Sequence, residues 1–146
     1  KSVRQLITML IEVTSTGGNL LLNVGPTARG VFDSRASERL EGMGKWMAYH
    51  NRSIYGCTQA PDNFQAPKNC LLTYNPETKR LYIHILEWPI SALHLNGYKG
   101  KFKYAQLLSD ASEVRYRTDT DGDNVTLNLP VLKPDIEVPV IELFLE

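Results

Sequence analysis

The run Gly17-Gly18-Asn19-Leu20-Leu21-Leu22-Asn23-Val24-Gly25-Pro26 is the feature that most constrains this chain. Read as a strand over residues 19–24, it puts Leu20, Leu21, Leu22 and Val24 on both faces. A strand apolar on both sides belongs in a buried parallel sheet, covered above and below. Helical patterns precede and follow it, so the first third of the chain reads as a helix–strand–helix unit of the α/β kind. The 146 residues contain no second βα unit to pair with that strand. The first third is therefore expected to be the last slice of a larger barrel or sheet. The lack of a signal peptide and of an initiator Met at Lys1 leads to the same expectation, that an N-terminal portion is missing or was removed.

Local signals mark the two helices. Ser2 followed by Gln5 is a capping-box pattern. Val3, Leu6, Leu10 and Val13 then recur at helical spacing, with Ile7 and Ile11 widening the apolar face. Gly17-Gly18 is expected to end this helix in left-handed conformations, and Gly25-Pro26 to stop the strand. Residues 27–32 read as a loop with a turn at Gly30. Asp33 or Ser34 caps a second helix whose core face is read as Leu40, Met43 and Met47, with Trp46 beside it.

Near Asn51 the helical period disappears. Seven candidate strands follow at 71–74, 80–87, 92–95, 102–108, 113–117, 125–129 and 140–145. Leu81, Ile83 and Ile85 alternate with Tyr82, His84 and Leu86, which predicts one clearly apolar face. Turn chemistry lies between strands at Asn75-Pro76-Glu77-Thr78, Asn96-Gly97 and Asp119-Thr120-Asp121-Gly122-Asp123. Short strands at this spacing predict an antiparallel β-sandwich. The expected architecture is thus α+β: a helix–strand–helix piece from the end of a (β/α) barrel over residues 1–52, then a sandwich over 53–146. Residues 52–70 read as the linker and leading strand between them.

Charge excludes some functions. Sixteen basic and sixteen acidic residues cancel, and no Lys/Arg run supplies a local field, so neither nucleic acid nor an anionic membrane is expected as a partner. No apolar run approaches the roughly 20 residues a spanning helix needs. Asp119, Asp121 and Asp123 alternate as calcium ligands do, but Gly122 and Pro130 fall where a calcium loop needs other residues, so a hairpin turn is the reading taken. His50, His84 and His94 share no ligand spacing. His50 is read as a charged imidazole favoured at a helix end, and His84 and His94 as lying on the wetter faces of their strands. Neither a metal nor a cofactor is called for. Cys57 and Cys70 read as two thiols rather than a disulfide framework. Asn51-Arg52-Ser53 and Asn124-Val125-Thr126 match the N-glycosylation pattern and mark exposed turns. Glu87-Trp88-Pro89 has two readings, a sugar-stacking edge or the end of the sandwich core. The tyrosines Tyr74, Tyr82, Tyr98, Tyr104 and Tyr116 read as packing. No carboxylate pair is placed by sequence at the separation that glycosidases use.

The run from Gly17 to Pro26, with Gly30, Glu38-Arg39-Leu40, Gly42-Met43-Gly44-Lys45-Trp46-Met47 and Ile54-Tyr55-Gly56 in order after it, resembles the α-L-fucosidases, the family-29 glycoside hydrolases. A looser similarity continues through residues 81–89 and Lys103-Tyr104-Ala105-Gln106-Leu107-Leu108. The resemblance implies a parent with a (β/α)-barrel catalytic domain and a C-terminal β-sandwich, acting on terminal α-linked L-fucose of glycans with retention. It implies an Asp nucleophile and a Glu acid/base, and no position here matches either, so the chain alone is expected to be inactive. It also implies a periplasmic, extracellular or lysosomal setting. Asn23 falls at the C-terminal end of the last barrel strand, where barrel enzymes build their sites. It is the one candidate substrate-binding residue, and the competing reading has it tying the Gly25-Pro26 turn in place. Arg29 stands where the family often has Asp, and Arg52-Ser53 where Glu-Ala is common. Both departures are read as peripheral.

Two other classes compete with the fucosidase reading: a non-catalytic carbohydrate-binding module, and a purely structural β-sandwich module. A strand apolar on both faces has no use in either. An isolated chain would expose that strand's edges, so it is expected to form a homo-oligomer through residues 1–50 or to leave them poorly packed.

Overall fold

The computed structural model describes residues 1–23, 28–31 and 33–146. Two helices, α1 (Val3–Ser15) and α2 (Ser34–His50), lead into a 3-10 turn over Asn51–Ser53. Seven strands follow: β1 (Cys70–Asn75), β2 (Arg80–Ile85), β3 (Ala92–Leu95), β4 (Phe102–Leu107), β5 (Tyr116–Thr118), β6 (Val125–Asn128) and β7 (Val140–Leu145). They form two sheets, one ordered β1-β2-β7-β4 and the other β3-β6-β5. Every pairing is antiparallel. The protein is α+β, with two helices and antiparallel sheets.

Both helices start where their sequence says. Ser2 Oγ accepts from the Gln5 backbone N–H while Gln5 Oε1 accepts from the Ser2 N–H, closing the capping box. Asp33 caps α2 by accepting from the Ala36 N–H at 2.8 Å. Gly17 alone of the glycine pair takes a left-handed φ, +81°, and the Gly17 and Gly18 amides donate back to Thr14 and Val13. The helices cross closely at Gly42, where an added Cβ would lie 2.6 Å from a Val3 methyl. Only a residue without a side chain lets α2 approach α1 so tightly.

Strand alternation divides the interior into two cores. Leu81, Ile83 and Ile85 of β2 and Ile141 and Leu143 of β7 face Leu93, Leu95, Val125 and Leu127 of the second sheet. The opposite face of the first sheet sends Tyr82 and Val140 against Ile7 and Ile11 of α1 and Trp46 of α2. The first sheet is therefore covered on both sides, by helices and by the second sheet. This corrects the one-faced reading of β2: Tyr82 and His84 are as buried as their apolar neighbours.

Three further expectations change. The buried face of α2 is Trp46 and His50, while Leu40, Met43 and Met47 are half-buried. The strand read at 113–117 begins at Tyr116. The preceding residues serve the other sheet, Val114 donating to the Ala105 carbonyl and Glu113 bridging to Gln106 of β4, so the chain crosses between sheets here. Residues 19–23 are extended and lie in no sheet. A strand needs a ladder partner, and none is supplied among the described residues. Leu20 and Leu22 are half-buried and Leu21 is 84% exposed. Val24 and the Gly25-Pro26 stop lie outside the described residues. Among the described residues no helix is long and apolar enough to cross a membrane.

Candidate functional site

Asn23, the substrate-binding candidate, is exposed at the end of the extended segment. The Gly25-Pro26 turn it was expected to tie lies outside the described residues. Three other places gather polar groups, and sequence reading reached only one of them.

The first is Glu142. Alternation along β7 points it away from the inter-sheet core, toward the turn after α2, and it is 2% exposed. Its Oε1 accepts from Arg52 Nη2 at 2.8 Å and from Gln106 Nε2 at 2.7 Å, and its Oε2 accepts from the Tyr82 hydroxyl at 3.0 Å. Burial, then the neighbouring carboxylate, pushes the Tyr82 phenol up. A cleft of about 490 Å³ opens beside this cluster, with Tyr55 and Arg80 on its walls. Arg80 is stacked 3.8 Å over the Phe144 ring. Both Glu142 oxygens are occupied by donors, which suits a tie between the helical segment and β7 rather than proton transfer. Arg52 is thus not peripheral. Ser53 is fully buried, its hydroxyl donating to the His50 carbonyl and its own carbonyl accepting from Thr73.

The second is a pair of buried imidazoles. His50 Nδ1 lies 2.8 Å from the Trp46 carbonyl. A carbonyl only accepts, so Nδ1 carries the proton and Nε2 is left as an acceptor. Thr73 donates its hydroxyl to Ser53 and so accepts from His84 Nε2–H at 2.8 Å, leaving His84 Nδ1 as an acceptor. Both remaining nitrogens are buried and find no partner among the described residues. Trp46 stacks on His50 at 4.6 Å between centroids. Burial holds both rings neutral: it lowers His50 against the pull of the Trp46 carbonyl, and with His50's help brings His84 to about 3. The charged reading of His50 and the wet-face reading of His84 are both corrected. His84 could not be placed from sequence, because Thr73 and Trp46 meet it only in the folded chain, whereas Trp46 lies one turn before His50 on α2. His94 is exposed, as read.

The third place is Trp88. It is half-buried against the inter-sheet core, and its Nε1–H donates to the Pro130 carbonyl at 3.0 Å. It also lines an open groove of about 590 Å³ with His94, Asn69 and Asn96. The packing reading holds, and the same residue also lines a groove. Tyr82 and Tyr98 are buried, and Tyr74, Tyr104 and Tyr116 half-buried, so the tyrosines pack. The aspartate run is a hairpin: Thr118 pairs with Val125, and the Asp119 amide donates to the Asn124 carbonyl. Among the described residues no group of three His, Cys, Asp or Glu could hold a metal. Cys57 and Cys70 are free thiols, pushed by burial to about 11 and about 12, which leaves little nucleophilic thiolate. Asn51 and Asn124 are both exposed.

This arrangement of helices and sheets recurs in solved glycosidase structures. α-L-Fucosidase isoenzyme 1 from Paenibacillus thiaminolyticus superposes on all of this chain with a TM-score of 0.89 and 36% identity, over 35% of its own length. Residues 1–52 match the family profile described as Alpha-L-fucosidase. The plasma alpha-L-fucosidase of Rattus norvegicus is 37% identical over 91 residues, covering 62% of this chain and 20% of that protein. The alpha-L-fucosidase of Dictyostelium discoideum is 28% identical over 99% of this chain and 32% of its own length. The chain is similar to α-L-fucosidases along its whole length, and it spans between a fifth and a third of the curated relatives it matches.

Proposed function

We propose that this chain is the C-terminal part of a retaining α-L-fucosidase that hydrolyses terminal α-L-fucosyl linkages in glycans. Residues 1–52 complete its (β/α) barrel and residues 53–146 form a β-sandwich that buttresses it. The observation that carries this reading is the extended apolar segment at 19–23, flanked by two helices and lying in no sheet, with Leu21 84% exposed. Such a segment gains its ladder and its cover from preceding barrel strands. The catalytic Asp and Glu come from those strands, and Asn23 reaches the sugar pocket from the C-terminal end of the last one. No carboxylate described here favours a catalytic role, since the buried one, Glu142, is fully engaged.

The test is hydrolysis of 4-nitrophenyl α-L-fucoside, with the anomer first released followed by proton NMR. The whole protein should release α-fucose, and this 146-residue chain alone should release nothing. Turnover by the isolated chain, or none by the whole protein, defeats the reading. Release of β-fucose first defeats the retaining mechanism.

A further inference from the structure

The groove beside Trp88 has features that packing does not require. One wall is the 65–69 segment ahead of β1, and the other is residues 87–90 of the connection between β2 and β3. Its floor includes the outward face of β3: Leu93 and Leu95 point into the core, so Ala92 and His94 point out. Both walls are held in place. Asn69 and Ser91 each adopt a left-handed φ of 60°, and their carbonyls accept from Leu86 and Leu129 at 2.9 Å. The Trp88 indole is oriented by its bond to Pro130. A groove so braced presents its side chains without ordering them first, which lowers the entropic cost of binding.

The lining chemistry selects the ligand. Lys68 and Glu87 offset each other, so nothing there favours a phosphate or an acidic chain. Asn69 and Asn96 offer amides with both donors and acceptors. His94 engages Thr126 through Nδ1 at 3.2 Å, leaving Nε2 for a ligand. An indole, two amides and one free imidazole nitrogen match a pyranose, which has an apolar C–H face and a rim of hydroxyls. The volume of about 590 Å³ lies within the roughly 300–1,000 Å³ usual for ligand sites.

We propose that this groove binds a neutral oligosaccharide, with one ring stacked on Trp88 and its hydroxyls held by His94, Asn69 and Asn96. The assignment goes beyond the hydrolytic reading and does not depend on it. The probe is lacto-N-tetraose, which is neutral and carries no fucose, titrated into the whole protein by saturation-transfer NMR. Saturable binding is expected, weakened about tenfold by Trp88→Ala and measurably by His94→Ala, the latter with an unchanged melting temperature. Because Trp88 also packs, His94→Ala decides the matter if Trp88→Ala fails to fold. No saturation up to about 10 mM overturns the proposal. So does binding that neither variant weakens, and so does capture of heparin, or of a peptide along the β3 edge, in place of the tetrasaccharide. Hydrolysis of 4-nitrophenyl α-L-fucoside by the unaltered protein is read in parallel; its absence defeats the fucosidase reading and leaves the groove standing.

Discussion

Residues 20–22 are apolar on both faces, whereas β2 alternates Leu81, Ile83 and Ile85 with Tyr82 and His84, yet it is β2 that is covered on both sides. β2 is sealed on one face by the second sheet and on the other by α1 and α2, and Leu81 and Ile83 are fully buried. The extended segment at 19–23 has no sheet, and Leu21 stands 84% exposed. Cover on two sides is thus decided by which neighbours are present and not by the apolar pattern of the segment itself. The sheets satisfy themselves, whereas the segment between the helices has no partner strand among the described residues.

The comparison breaks first if β2 proves less central than it looks. Ile83→Ala should destabilise the chain by about 2–5 kcal/mol, the range for truncating a fully buried Ile, measured by urea unfolding. A loss under about 0.5 kcal/mol, the size of an ordinary surface change, would mean the two-sided cover is loose.

Next comes the tie between the helical segment and the sheet. Glu142→Ala strands the Tyr82 hydroxyl and the Gln106 amide and should cost about 3 kcal/mol. Arg52→Ala should cost under about 1 kcal/mol, because the Arg52 side chain is 59% exposed and water replaces its partner. Equal losses at the two positions would make the pair a symmetric ion pair, contrary to its geometry.

A pH titration sharpens the same boundary, because His84 lies on the β2 face that the helices cover. Its folded pKa, about 3, is below the unfolded value of about 6.5. The unfolded chain therefore binds the extra proton in this window, and stability is full above about pH 6.5 and falls with pH toward 3. His84 alone should remove about 2–3 kcal/mol between pH 7 and pH 4.5. His50, also lowered, adds in the same direction. A His84→Gln variant should flatten the slope; an unchanged slope would assign it to the carboxylates.

What was legible in the sequence was whatever depends on near neighbours. The capping box at Ser2 and Gln5, the Asp33 cap and the Asp119 hairpin all rest on contacts a few residues apart. What was illegible depends on distant ones. His84 reads as a polar residue on an alternating strand, and only Ile7, Ile11 and Trp46, folding back from more than thirty residues away, turn that face into an interior. Arg52 looks like a surface departure until β7, ninety residues on, presents Glu142 to it. Trp88 was ambiguous for a different reason: one ring both packs and lines a groove, and periodicity cannot separate the two. Asn23 was named by its place at the end of a strand, and no partner for that strand lies among the described residues.

That dependence sets the smallest expected effect, at Leu21. In the 146-residue chain, Leu21→Asp should change stability by no more than about 0.5 kcal/mol, since an exposed side chain loses no packing. It should also shift any self-association through residues 1–50 toward monomer, because a charge at the exposed segment opposes edge pairing. On the proposed barrel reading, the same change in the whole protein places a carboxylate between barrel strands and helices, where an unpaired charge costs several kcal/mol, so folding or activity should fail there alone. Unfolding and sedimentation measured on both lengths separate the cases. Strong destabilisation of the short chain would show Leu21 already packed within it, and indifference in the long one would show that no sheet covers it.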